Sequence, residues 1–374
     1  MNTAFVRRAS RGWSLAMSLT FALSPAIVSA SPATPRAWLV AKGDAQAVLV
    51  GESHLPTPVE SDSYYDTVVQ PSYAVADTAV METYFGPEQM RNEAFERGAP
   101  CPGDPRDRQT ARLGPAFDAL IAATRANGLP VPDWMSNWQL MPEFLLTSIY
   151  LDRFTIDTLG PAYDAAITRQ GGGVSLRLRA DAKGGPRTLL GLDSLKTLRL
   201  QFCAASASVR HDVLVDKVDK TAALVRLKLA DPGYASLNGL TATLGRVLAA
   251  QLACVDRATP CSIDTSSADV RQLQQAGWMS AFSAGTVELM LRQRTRAWLP
   301  QIVRAVGTHR RTFVIVGALH LPDLRVGDRV EPGLVTQLRG QGFTVTPIAS
   351  AADIAKTFLA PTWSERLRAT LGRL

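Results

Sequence analysis

A heptapeptide frame that occurs twice constrains this chain more than any other feature. Val50-Gly51-Glu52-Ser53-His54-Leu55-Pro56 follows the apolar run Ala47-Val48-Leu49, and Val316-Gly317-Ala318-Leu319-His320-Leu321-Pro322 follows Phe313-Val314-Ile315. A short run of apolar, β-branched residues favours an extended and buried backbone. Each run stops at a Gly and then presents a His, so each copy predicts a strand, a tight exit turn and an imidazole at the strand's end. The chain has four His, two of them in this V-G-x-x-H-L-P frame, one frame towards each end. A fold that uses both copies takes β structure from both ends of the polypeptide.

The first 30 residues are set apart. Arg7, Arg8 and Arg11 precede an uncharged stretch from Gly12 to Ala30 that ends Val28-Ser29-Ala30. That is the pattern of a secretory signal peptide cleaved before Ser31. The interruption at Ser24-Pro25 and the small-residue site argue against a retained anchor. Without the three leader Arg, the 40 Lys+Arg become 37 against 33 Asp+Glu, a net charge of +4. The basic residues are scattered, with no aromatic-interleaved cluster, and nucleic acid is not an expected partner. In an exported chain, Cys101, Cys203, Cys254 and Cys261 are expected to form two disulfides. Three pairings are possible. The short loop with Pro260 between Cys254 and Cys261 favours that pair, with Cys101 joined to Cys203. No C-x-x-C occurs, which disfavours a zinc cluster.

Along the chain, Trp38-Leu39-Val40 and Ala47 to Val50 flank Gly43-Asp44 and read as a hairpin. Thr78-Ala79-Val80-Met81 is another apolar run, ended by Glu82. Gly98 to Asp107 reads as a surface loop tied down by Cys101. Leu113 to Asn127 and Pro142 to Phe154 have helical spacing. A short hairpin is expected around Val174 to Leu178, and Thr188 to Asp193 reads as a buried strand ending in an acid. Leu195 to Ala230 and Ser267 to Val306 are long amphipathic stretches. Sheet returns at Phe313, followed by a helix over Leu334 to Arg339 and a strand over Phe343 to Pro347. The order predicts a mixed α/β fold: a mixed sheet contributed by both chain ends, in pseudo-symmetric halves, around a large helical middle. The domain boundaries expected are 1–30 for the leader, 31–350 for the main domain and 351–374 for an amphipathic helical tail.

The paired G-x-x-H motifs, the acid Glu82, Gly191-Leu192-Asp193, Arg294 with Trp298, and the late Gly342-Phe343-Thr344-Val345 together resemble the TraB/PrgY/GumN family, which includes the Tiki proteases. Glu52 stands where members often carry Thr, Asp193 where Glu is usual, and Thr295 where Asn follows the Arg. The resemblance implies a fold related to erythromycin esterases and ChaN-like proteins, and a metal-dependent hydrolase in the periplasm or outside the cell, acting on a peptide or small acyl substrate. Under it, His54, His320 and Glu82 would hold a divalent ion (Mn, Co or Zn), since two neutral imidazoles and a carboxylate leave a position open for water. Arg294 would stabilise an oxyanion or orient a carboxylate. Glu52 would be the general base, an assignment it shares with Glu82. Two other functions are compatible with the same relatives: a non-catalytic protein binding haem or metal through its two His, and a His/Glu hydrolase without metal.

Each residue also has a plainer role. A strand-end His can cap backbone groups, and Glu82 can be a salt-bridge partner. Arg294 on an amphipathic helix would by default face solvent. Asp193 is placed to N-cap the helix beginning at Leu195. His211 and His309 sit among charges and are expected at the surface, and the Trp residues are expected in the core. No G-x-S-x-G is present to support a serine hydrolase.

Overall fold

The computed structural model describes residues 37–52, 62–82, 101, 110–151, 153–155, 157–158, 178, 185–186, 188–232, 237–257, 259–262, 267–276, 283–326, 328–361 and 370. The chain enters as β1 (Ala37–Lys42) and β2 (Ala45–Glu52), an antiparallel hairpin whose turn places Gly43 at φ 59°, a conformation open to Gly without steric cost. The short helix α1 (Gln70–Val75) leads to β3 (Thr78–Met81). Helix α2 (Thr110–Ala126) opens the helical middle, which the strand β4 (Thr188–Gly191) interrupts. Then come α3 (Leu195–Ala204), α4 (Ala207–Ala230), α5 (Leu237–Leu252), β5 (Cys261–Ser262) and α6 (Ala268–Gln275). A π-helical segment, Val287–Gln293, runs directly into α7 (Arg294–Thr308). The last part is β6 (Arg311–Gly317), β7 (Leu324–Val326), β8 (Arg329–Glu331), α8 (Leu334–Gly340), β9 (Thr344–Ile348) and α9 (Ala351–Lys356).

Six strands form one mixed sheet in the order β4-β3-β6-β2-β1-β9. The four from β4 to β2 are mutually parallel, while β1 pairs antiparallel with both β2 and β9. Strands from the two ends of the chain therefore lie side by side in the sheet, with β6 inserted between β3 and β2 and β9 paired with β1. Central parallel strands are covered on both faces, which explains why β2 and β6 are continuously apolar rather than alternating. On one face Leu49, Val80, Val314 and Val316 pack against Trp298, Ile302 and Val306 of α7 and Leu334, Val335 and Leu338 of α8. On the other, Val48, Val50, Met81, Phe313 and Ile315 pack against Tyr65, Val68, Val69 and Tyr73, with Ile354 and Phe358 following β9 into the same cluster. Each such fully buried side chain contributes about 1.5–3 kcal/mol relative to exposure. A third cluster, built from α2, α4 and residues 135–154, belongs to the helical middle.

Several expectations are refined here. Strand β4 is the sheet's edge, and Leu190 is exposed rather than buried. The stretch from Leu195 is two helices, because the chain turns extended at Ala205 and Ser206 and the Ser206 side chain caps α4. The cap of α3 is Ser194, whose Oγ accepts from the Thr197 N–H at 3.1 Å, and not Asp193. The loop expected over 98–107 lies outside the described residues except for Cys101. The hairpin expected around Val174 to Leu178 lies outside them too, apart from Leu178, which is helical and buried. The leader, residues 1–30, is likewise outside them. Both favoured disulfides are present, Cys101–Cys203 and Cys254–Cys261. The second ties the end of α5 to β5 in a small sheet ordered β5-β7-β8. Two disulfides fit an oxidising, extracellular setting. Among the described residues, no helix is long and apolar enough to cross a membrane.

Candidate active site

The parallel strands direct all four of their carboxyl ends to one edge of the sheet, where open α/β sheets place ligands. Glu52 ends β2 opposite Gly317, which ends β6. The ladder runs on beyond the neighbouring strands: Glu82 donates its N–H to the Ile315 carbonyl at 3.2 Å, and Asp193 donates to the Glu82 carbonyl at 3.1 Å. The two heptapeptide frames are thus neighbours, with Val50 beside Ile315 and Gly51 beside Val316. Gly51 eases that approach, since a Cβ on it would stand 2.7 Å from Leu321 Cδ1 and 3.1 Å from Leu252 Cδ2, and those side chains would have to shift. Ser53 and His54 lie outside the described residues.

Arg294, the first residue of α7, is buried and sits between two of these strand ends. Its Nε donates to Asp193 Oδ2 at 3.0 Å, and its Nη2 pairs with both Glu82 Oε1 and Asp193 Oδ2. Nη1 donates to the Met290 carbonyl at 3.2 Å, so one Nη1 N–H of the five on the guanidinium has no partner among the described residues. The other oxygens of the two acids are held as well. Glu82 Oε2 accepts from the Gly317 N–H at 3.0 Å, and Asp193 Oδ1 accepts from Trp298 Nε1 at 2.7 Å. The guanidinium also lies 4.7 Å from the Trp298 ring centre. Burial acts against the Arg294 charge, but Glu82 and Asp193 outweigh it and hold the group above its ordinary value. Burial raises the Asp193 carboxyl, with Arg294 opposing and Glu82 adding to the rise. Arg294 is therefore not the solvent-facing helix residue its pattern predicts, and Asp193 anchors it instead of capping α3.

His320 closes the 3-10 turn Ala318–His320 after β6 and is buried. Its ring packs 4.3 Å from the Trp298 ring, and its Nδ1 lies 2.8 Å from Thr295 Oγ1. The Thr295 hydroxyl lies 2.6 Å from the Leu291 carbonyl, which can only accept, so its single proton goes there. His320 must then donate from Nδ1, and in the neutral ring the lone pair falls on Nε2. That is the tautomer of a metal ligand or a proton acceptor. Thr295 thus orients the histidine.

Strand alternation separates the two glutamates. Glu82 follows Val80 on the α7 face, with Arg294 and His320, whereas Glu52 continues the row of Val48 and Val50 on the opposite face. Glu52 is itself buried. The α7-side cluster borders a cavity of about 260 Å³ that Arg294 lines together with Phe144, Phe202, Leu289 and Met290. Such a largely apolar space with two cations, Arg294 and Lys217, in its wall suits an organic substrate group beside a reacting or charged oxygen. As expected of the Trp residues, Trp38 and Trp298 are in the core.

Two polar clusters have no counterpart in the sequence reading. Glu143 is buried and accepts from Arg210 Nε at 2.8 Å, with His211 Nε2 also at 2.8 Å. His211 is thus a core residue, not a surface one; His309 is half-buried at the end of α7. A stripe on α4, His211, Leu214, Val218, Ala222 and Val225, carries the signal that the sequence reading passed over. In the second cluster Asp216 Oδ2 accepts from Ser283 Oγ at 2.7 Å and from Thr286 Oγ1 at 2.5 Å.

Among the described residues, no group of three or more His, Cys, Asp or Glu stands together as an ion site. The donors around β6 fit such an ion in kind: His320 offers Nε2 and Glu82 a buried carboxylate, with His54 two residues beyond Glu52. Neither a curated protein nor a solved structure matched the chain in comparisons with known proteins. The model of the TraB/PrgY/gumN family matches residues 248–347, which span α7, the second G-x-x-H frame and β9, and this match supports assigning the chain to that family.

Proposed function

We propose that the chain is an exported, metal-dependent hydrolase of peptide or related acyl bonds. The observation that carries this reading is the meeting of His320, Glu82, Asp193 and Arg294 at the carboxyl edge of the parallel strands, beside a cavity that Arg294 lines. His54, His320 through Nε2, and Glu82 through its carboxylate would hold the ion; bound there, it would supply a Lewis acid and lower the pKa of water. The chain's own groups supply the rest. Arg294 offers its remaining Nη1 N–H to a substrate oxygen in the cavity, and Glu82 and Asp193 fix the direction of that donor. Thr295 keeps the His320 lone pair on Nε2. Glu52 points to the other face of the sheet from His320 and Arg294, so the base role expected of it is not assigned to it, and proton acceptance rests with the Glu82 and His320 side of the site.

A second reading dispenses with the ion. It is favoured by Glu82, whose two oxygens are already engaged by Arg294 and by the Gly317 N–H. In that case Glu82 positions Arg294, and His320 Nε2 is the proton acceptor. Cleavage of a peptide library by the purified chain, with and without a chelator, separates the readings. The first expects cleavage that the chelator abolishes, that Mn, Co or Zn restores, and that His320→Ala removes. Chelator-insensitive cleavage replaces it with the second, and a library left intact in the presence of metal rejects both.

A further inference from the structure

Arg292 is almost fully buried, at 1% exposure, yet its guanidinium is barely bonded. Among the described residues, the single N–H of Nε and the two of Nη1 have no hydrogen-bond partner, and Nη2 makes only a long 3.5 Å contact with the Leu319 carbonyl. A buried, unbonded cation is among the most costly arrangements a fold can hold, and it calls for a specific explanation. Burial pushes the group down to about 10, although Glu331, Asp323 and Glu288 act on it through space. Its setting in sequence is equally unusual. Arg292 lies three residues before Thr295 in the π-helical segment, in line with the buried stripe Thr295, Trp298, Ile302 and Ala305.

Arg292 lines a pocket of about 330 Å³ with Arg329, Glu288, Glu331, Ala284 and Val287. Neither acid is hydrogen-bonded to Arg292; both pair with Arg296 instead. The pocket's wall carries Arg292 and Arg329 beside Glu288 and Glu331, so its charges balance, and what it lacks is an acceptor for the Arg292 Nε and Nη1 N–H groups. We infer that this pocket is a carboxylate-binding subsite, with Arg292 as its buried cation and Arg329 at its rim. The Arg292 contact with Leu319, the residue before His320, places the subsite next to the candidate active site. Resting on the hydrolase reading, a free carboxylate is then a feature of the substrate. A carboxylate presents two acceptor oxygens in the spacing of a guanidinium edge, and charge-assisted bonds to Nε and Nη1 would satisfy the groups now left without partners.

The test uses binding, not turnover, so that it stands apart from the test of hydrolysis. N-acetylalanine and its C-terminal amide are titrated into the full chain by calorimetry, with inorganic phosphate as a third probe. The acid is expected to bind at least about tenfold tighter than the amide, about 1.4 kcal/mol. Arg292→Met is expected to lower the acid to the level of the amide. Arg329→Gln, at an exposed position where folding is not at stake, is expected to weaken the acid several-fold without changing the amide. Equal binding of acid and amide, no binding of either, tighter binding of phosphate, or an acid affinity untouched by both substitutions would each overturn the inference. Acid-selective binding by a chain that cleaves no peptide would retain the subsite and reject only the hydrolase.

Discussion

Replacing Arg294 by Met tests whether the two strand-end carboxylates depend on one cation. Methionine keeps most of the aliphatic stem and so isolates the charge. Removing one member of a buried ion pair costs about 3–5 kcal/mol, because the partner is left uncompensated. Here two partners are left, Glu82 and Asp193, and the contact with Trp298 is lost as well. Against a typical folding stability of about 5–15 kcal/mol this is a large fraction. The loss should depend on pH. In the folded chain burial already raises the Asp193 carboxyl, and Arg294 is the group that opposes the rise. Without it the folded value climbs further above the unfolded one. An acid raised in the folded state contributes stability that is present below its unfolded value and lost as pH rises through its folded value. The deficit of Arg294→Met should therefore be greatest at pH 7.5 and shrink towards about pH 4, where free Asp titrates. Urea denaturation of both proteins at the two pH values measures it. A deficit below about 1 kcal/mol at pH 7.5, or one that is equal at both pH values, would refute the reasoning.

Two further perturbations probe other groups. Thr295→Val removes the hydroxyl at nearly constant volume and leaves a buried donor on His320 Nδ1 unpaired, at a cost of about 1–3 kcal/mol. Nitrogen NMR of the ring should report Nδ1–H in the wild type and in Thr295→Ser but a shift towards Nε2–H in Thr295→Val, and a wild-type ring protonated on Nε2 would contradict the assignment. Burial raises the Asp216 carboxyl, so its contribution to stability is present below the unfolded value and lost as pH rises through the folded value. Asp216→Asn should accordingly gain on the wild type in thermal melts between pH 4 and pH 7, and a gain in the opposite direction would refute this.

The paired frames were legible because a strand that is buried on both faces writes an unbroken apolar run into the sequence, and a Gly-then-His exit is rare enough to notice twice. The β1–β2 hairpin, β3 and the closing strand were readable from the same local patterns. Strand order was not. Nothing within Thr188 to Asp193 states that β4 would be an edge, so its apolar residues were read as buried. The roles of Asp193 and Thr295 also escaped local reading, because their partners lie far along the chain: Arg294 and Trp298 for the first, His320 for the second. Ser194, one residue on, took the capping role by presenting its hydroxyl to Thr197. His211 was different: it lies on the apolar stripe of its own helix, a signal that its charged neighbours in the sequence overrode.

The central claim is that His54 joins His320 and Glu82 around one divalent ion. An anomalous-scattering map from crystals of the full chain soaked in manganese tests it most directly. The account predicts one strong peak about 2.0–2.2 Å from a ring nitrogen of His54, from Nε2 of His320 and from an oxygen of Glu82. A peak at other residues, or a His54 ring turned to a different surface from His320, would contradict it.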